Sequence, residues 1–265
     1  MDATRADAQN PPPHKEPSPG MAAVARGDER ARLARQGGIR EVVFGVQDGL
    51  LTTLGLVTGI ASATSGGRTT ILLAGVVVAL TGMVSMGTGA YLGGTSERDL
   101  KAAAIRKERL ELSTDPEEEH GEMAAILHRS GVPVAQAHEL ARALAAYPKL
   151  WEETHIEKEL GIPSQLPDAP VADGVRMGAT FLLGAIPPIV PYALLTGTAA
   201  FATSLAVSAV VLAALGIVKG RITSTGLARS GAQVLAVGAA AAATGYVLGV
   251  ILPRLLGLHI PPGAL

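Results

Sequence analysis

"FGVQDGLLTTLGLVTGIA", residues 44–61, reads as a membrane-spanning helix with a single carboxylate, Asp48, inside it. A carboxylate near the middle of a bilayer costs roughly 2.5–3.5 kcal/mol on insertion scales, so the acid needs a reason to be there. At helical spacing its neighbours are Gly45, Thr52, Gly55 and Gly59, at i−3, i+4, i+7 and i+11. Small residues in such a stripe let two helices approach closely. The pattern turns Asp48 toward another helix or a polar cavity and away from lipid. Intramembrane acids usually lie on ion or proton paths.

The rest of the chain has the same character. Its 265 residues are 48% hydrophobic with a mean hydropathy of +0.33, too apolar for an ordinary soluble domain. Only 17% are charged, and those are crowded into a few segments. Between them lie five apolar stretches, about 41–63, 71–94, 172–195, 198–218 and 231–252. Each has the roughly 20 residues that a bilayer requires. A Gly count of 32 with 3% aromatics suits closely packed transmembrane helices. The net charge of −1 argues against a nucleic-acid binder. The absence of cysteine excludes thiolate metal sites and disulfides. No strand pattern occurs, so the class is an all-α polytopic membrane protein.

Residues 1–38, rich in Pro, Arg and Asp without an apolar run, are expected to form a disordered arm. Residues 39–94 hold the first two spans, 95–170 a charged helical segment, and 171–265 the last three spans. Within the charged segment, Asp115-Pro116-Glu117-Glu118 is a helix start: an N-cap acid, Pro at the first position, then acids against the positive helix end. Gly131 closes that helix and Pro133 opens the next. Pro148 opens a third, ended by Gly161 and Pro163. With five spans, the arm, this segment and the 219–230 loop share one side, together with nearly all the Lys and Arg near the membrane. The positive-inside rule puts that side in the cytosol. The third span carries Pro187, Pro188 and Pro191, which predict a kink or a break near one interface.

The second span has its own stripe of small residues: Gly75, Ala79, Gly82, Met86, Gly89 and Gly93. Met86 is its one large side chain. A thioether and the Asp48 carboxylate facing each other across a narrow gap would make an ion site.

The charged segment carries acids in i, i+3 pairs, Glu108 with Glu111 and Glu119 with Glu122. Each pair shares a helix face, and facing pairs can hold a divalent cation between oxygen ligands. A solvated acidic face would have the same spacing. Glu117-x-x-His120 and Glu152-x-x-His155 match the Glu-x-x-His spacing of di-iron bundles, a weak pattern that any acidic helix with a His can produce. His128 and His138 have no partner at ligand spacing.

This order of features resembles the vacuolar iron transporter family. The matching stretches are "REVVFGVQDGLLTTLGLVTGIA", "GMVSMGTGAYLGGTSERD", the acids Glu108, Glu111, Glu119 and Glu122, "KELGI" and "FLLGAIPPIVPY". Together they cover about residues 38–254. The resemblance implies five transmembrane helices with a cytosolic helical metal-binding domain between the second and third. It implies proton-coupled export of Fe2+, and often Mn2+, from the cytosol, by a homodimer with the path between its subunits. No prosthetic group is implied; the divalent ion is cargo. Carried over, Asp48 and Met86 form the transport path, and Glu108, Glu111, Glu119, Glu122 and Glu159 the cytosolic metal site. Where family members often have a Met-Met pair before the "ELG" turn, this chain has His155-Ile156, which offers His155 as an imidazole replacement. The Ala, Gly and Arg bias points to a bacterial plasma membrane, and a eukaryotic source to a vacuolar one. Two other classes fit the residues alone: a membrane-tethered metal buffer or sensor, and a small-solute transporter with Asp48 as its proton site.

Overall fold

The computed structural model describes residues 19–63, 67–163, 170–223 and 226–257, with side chains from Glu41 onward. The order is α1 (Pro19–Ala63), α2 (Arg68–Thr114), α3 (Pro116–Arg129), α4 (Val134–Ala145), α5 (Pro148–Lys158), α6 (Pro170–Leu194), α7 (Gly197–Ile222) and α8 (Leu227–Leu255). Among the described residues there is no strand. Residues up to Glu41 form one unit and Val42–Leu265 a second. In the first, residues 19–38 are helical where the sequence predicts a disordered arm; Met1–Ser18 lie outside the described residues. The run "MAAVARGDERARLARQ" (21–36) explains the difference, since Ala, Arg, Leu and Glu are strong helix formers.

Five helical stretches are long and apolar enough to cross a membrane: Glu41–Ala63 and the whole of α2, α6, α7 and α8. The second exceeds the expected span. α2 is one helix of 47 residues, about 70 Å long at 1.5 Å per residue, against roughly 30 Å of hydrocarbon. Its second half is rich in Ala, Lys, Arg, Glu and Leu, and is laced by the i, i+4 pairs Glu97–Lys101 (2.6 Å) and Lys107–Glu111 (2.8 Å). It stops where Asp115, ahead of Pro116, leaves helical geometry at φ −130° and ψ 53°. The Asp115 side chain makes no capping hydrogen bond.

Glycines set the spacing within the second unit. A Cβ at Gly245 or Gly249 would strike the carbonyl of Gly55 or Gly59, and one at Gly49 or Gly184 would strike that of Phe181 or Val46. α1 therefore meets α8 in parallel and also lies backbone to backbone on α6. α2 runs antiparallel to α6, with Gly75 at Ile189, Gly82 at the Phe181 ring and Gly87 at Gly174. α7 runs antiparallel to α8, with Leu212 at Gly238 and Gly216 at Gly231. It returns along α6, where Tyr192 packs on Ala200. These directions bring the α2–α6 segment and the α7–α8 turn to one end of the bundle.

α6 is continuous to Leu194, so the break allowed by its prolines does not occur. Near its end neighbouring segments tie it down: the Ser204 hydroxyl donates to the Pro188 carbonyl (2.8 Å), and the Arg68 guanidinium to that of Ala193 in the last turn (2.5 Å). At the far end of α2, helices α3–α5 enclose a small core of Met123, Ala124, Ala137, Ala141 and Trp151, with Leu112 of α2 against it. Gly131 (φ 102°) and Gly161 (φ 65°) make the left-handed turns after α3 and α5.

Candidate metal centre

The small core orients the acids. On α2 the face carrying Ile105, Glu108 and Leu112 turns inward; on α3 it is the face carrying Glu119 and Met123. On α5 Trp151 and His155 are one turn apart and both buried. Glu159 caps α5, its N–H donating to the His155 carbonyl at 2.8 Å. As a result one ligand atom each from Glu108, Glu119, His155 and Glu159 lies within 4.8 Å of all the others. Glu108 is 2% exposed, Glu119 5% and His155 0%, while Glu159 stands at the open side. Glu108 Oε1 and Glu119 Oε2 are buried without a hydrogen-bond partner. His155 Nδ1 lies 3.1 Å from the Trp151 carbonyl, and Nε2 lies 3.6 Å from Glu119 Oε2.

Packing three carboxylates so closely makes ionisation costly. Burial, and then the carboxylates of Glu159, Glu119 and Glu111, push Glu108 up to about 7. Burial also raises Glu119 against the opposing pull of His155, and raises Glu159 together with the adjacent Glu122 carboxylate. A cation bound among them would offset the same repulsion that raises these carboxyls. The cluster's oxygens with one imidazole suit a divalent transition metal.

Of the acids singled out by spacing, Glu111 and Glu122 stand on the rim. Glu111 pairs with Lys107, and Glu122 is exposed beside Glu159. The Glu-x-x-His patterns do not assemble. Glu152 turns away to pair with Arg109 (2.7 Å), Glu117 is exposed, and His120 Nδ1 bonds the Pro116 carbonyl. The four-residue cluster therefore lacks the paired Glu-x-x-His geometry of a di-iron bundle. His128 bonds the Val132 carbonyl (2.9 Å) and His138 is exposed. Sequence reasoning missed Trp151, whose carbonyl and ring hold His155 in place; its only signal was a position four residues before the His.

In the membrane stretch, Asp48 sits at the margin of the buried face of α1, which runs through Gly49, Thr53 and Val57. It is half-buried, next to exposed Thr52, and makes no hydrogen bond or ion pair among the described residues. Gly45 and Gly49 serve the contact with α6, and Gly55 and Gly59 the contact with α8. Phe181 of α6 ties the two candidate path helices to one depth, its carbonyl against Gly49 and its ring against Gly82. Met86 is half-buried one turn beyond Gly82. The stripe expected on α2 holds only in its first half. The contact passes from Gly82 to Gly87 and Gly94, while Gly89 and Gly93 have nothing within 4 Å. A 3.5-residue stripe drifts about 20° per heptad around a straight helix, and that drift carries its end out of the interface.

Comparison with known proteins gives a consistent answer. The model of the VIT family matches residues 39–250. Vacuolar iron transporter 2 of Oryza sativa subsp. japonica is 30% identical over 209 residues, 78% of this chain and 85% of the relative. Vacuolar iron transporter 1 of Tulipa gesneriana is 28% identical over 233 residues, 88% and 94% of the two chains. Vacuolar iron transporter 1 of Arabidopsis thaliana is 29% identical over 211 residues, 79% and 84%.

Proposed function

The chain belongs to the VIT family, and from that premise we propose that it carries a divalent transition-metal ion, Fe2+ foremost, across a membrane in exchange for protons. Its relatives are named as transporters of iron, and it is read as a transporter rather than an enzyme. One observation carries the reading: a single helix, α2, is a membrane span at one end and supplies buried Glu108 to a carboxylate–imidazole cluster at the other. Glu108, Glu119, His155 and Glu159 gather the ion from the cytosol, with Glu111 and Glu122 enriching it at the rim. An ion bound there displaces the proton that Glu108 holds near pH 7. Asp48 and Met86 take the ion through the membrane, Asp48 being neutralised in turn by a cation or a proton. Mn2+ is a second cargo, since carboxylates accept both metals.

The basic flanks at that end of the bundle support a cytosolic α3–α5 domain by the positive-inside rule. The open Gly89 and Gly93 face of α2 is assigned to a second copy, because small residues on a membrane helix favour close helix contacts. Uptake into sealed proteoliposomes tests the reading. Internal Fe2+ that rises with time supports transport. Metal retained only on the outer surface would make the protein a tethered buffer, and no metal bound at all would return Asp48 to a small-solute carrier.

A further inference from the structure

We infer that His155 enters the cluster as a nitrogen ligand through Nε2, and that this one donor makes the site prefer Fe2+, Co2+ and Zn2+ over Mn2+. The inference rests on reading the cluster as a metal site, and adds the order of ions that the site prefers.

Each ring nitrogen lies against a main-chain carbonyl, Trp151 at Nδ1 and Glu119 at Nε2, and a neutral imidazole has one proton for the two. Nδ1 lies 3.1 Å from the Trp151 carbonyl one turn earlier on α5, and the Trp151 ring meets the imidazole edge-on at 4.2 Å between centroids and 69°. The shorter of the two contacts, at Nδ1, holds the proton there and leaves Nε2 as the donor to a metal. Nε2 lies against two oxygens of Glu119, the carboxylate Oε2 at 3.6 Å and the main-chain carbonyl at 3.3 Å. Neither offers a proton to a lone pair when Glu119 is ionised. The residue is fully buried, so water cannot satisfy the lone pair from outside. A cation between Nε2, Glu119 and Glu108 would satisfy it, together with the two unpartnered carboxylate oxygens. Oxygen ligands alone bind Mn2+ comfortably. An imidazole favours the ions above Mn2+ in the usual stability order, and Mn2+ is the weakest of that series.

The competing account makes His155 a purely structural partner of Glu119. The test uses the full-length chain in detergent micelles, with Co2+, Zn2+ and Mn2+ as probes. X-ray absorption of the Co2+-loaded wild type is expected to show outer-shell imidazole scattering, a measurement that needs no variant to fold. H155Q is expected to lose that signal. It should weaken Co2+ and Zn2+ binding by about 10-fold or more and Mn2+ by less than about 3-fold. The single tryptophan, Trp151, reports binding through its fluorescence because it touches the ring. Bound Co2+ without imidazole scattering, or equal losses for the three ions, overturns the inference and leaves a carboxylate metal site standing. No binding by the wild type overturns both.

Discussion

Glu108 is the residue on which the pH behaviour of the carboxylate cluster turns. Its folded pKa, about 7, lies above its ordinary 4.5 because of burial and the neighbouring carboxylates. Between those values the folded chain binds more protons than the unfolded one, so stability falls as pH rises through the window and the full cost is present above about 7. The metal-free protein should therefore melt at a lower temperature at pH 8 than at pH 5.5. E108Q should flatten that slope and recover on the order of 2–3 kcal/mol at pH 8, read by thermal melting of the domain signal. Added metal should stabilise the wild type most at pH 8, where protons compete least. A wild type that melts higher at pH 8 without metal would contradict this electrostatic picture. The i, i+3 acid pairs were visible in sequence, but not which member of each pair turns inward. Residues three apart differ by about 60° around a helix, and the side facing the core is decided by Leu112 and Met123, not by the acids. His155 and Glu152 illustrate the same limit: they are three apart on α5, yet one is buried in the cluster and the other pairs with Arg109.

Among the helices, length and hydropathy made the five spans legible, because an apolar run of bilayer length has few other uses. The continuity of α2 was not legible. Gly93-Gly94 looks like a stop, and the charged run beyond it offers no apolar period to mark a helix. The prolines of α6 overstated the case for a break, since sequence cannot reveal packing from another helix, such as the Ser204 hydroxyl on the Pro188 carbonyl. The glycine stripes were legible as contacts but not in their partners: the stripe on α1 serves α6 at one end and α8 at the other. This gives a contrast between two alanine substitutions. G245A pushes a methyl into the Gly55 backbone carbonyl and should cost about 1–3 kcal/mol as the helices part. G93A meets nothing within 4 Å and should leave the folded protomer within about 0.5 kcal/mol of wild type. If the open α2 face receives a second copy, G93A should instead weaken self-association, measured by light scattering in detergent. Equal thermal losses for both variants would mean that these close contacts do not limit stability.

In the molecule as a whole, the proposed transport would run from the Glu108 cluster at the far end of α2 to a membrane path through Asp48, with protons moving the other way. Blocking the cluster and blocking the path should have different kinetic signatures. With Glu108, Glu111, Glu119 and Glu122 changed to Gln, uptake should slow at low metal and partly recover at saturating metal, because capture rather than passage is impaired. D48N keeps the size and most of the hydrogen-bonding capacity of the side chain while removing its charge. An amide is cheaper to bury than a carboxylate, so the variant should insert and fold as well as the wild type. The decisive measurement records metal entry and internal pH together in sealed proteoliposomes containing wild type or D48N. Fe2+ entry in the wild type should be accompanied by proton exit, and D48N should abolish both while still binding metal at the Glu108 cluster. Fe2+ entry by D48N at the wild-type rate, or wild-type entry with no proton movement, would contradict the proposed transport.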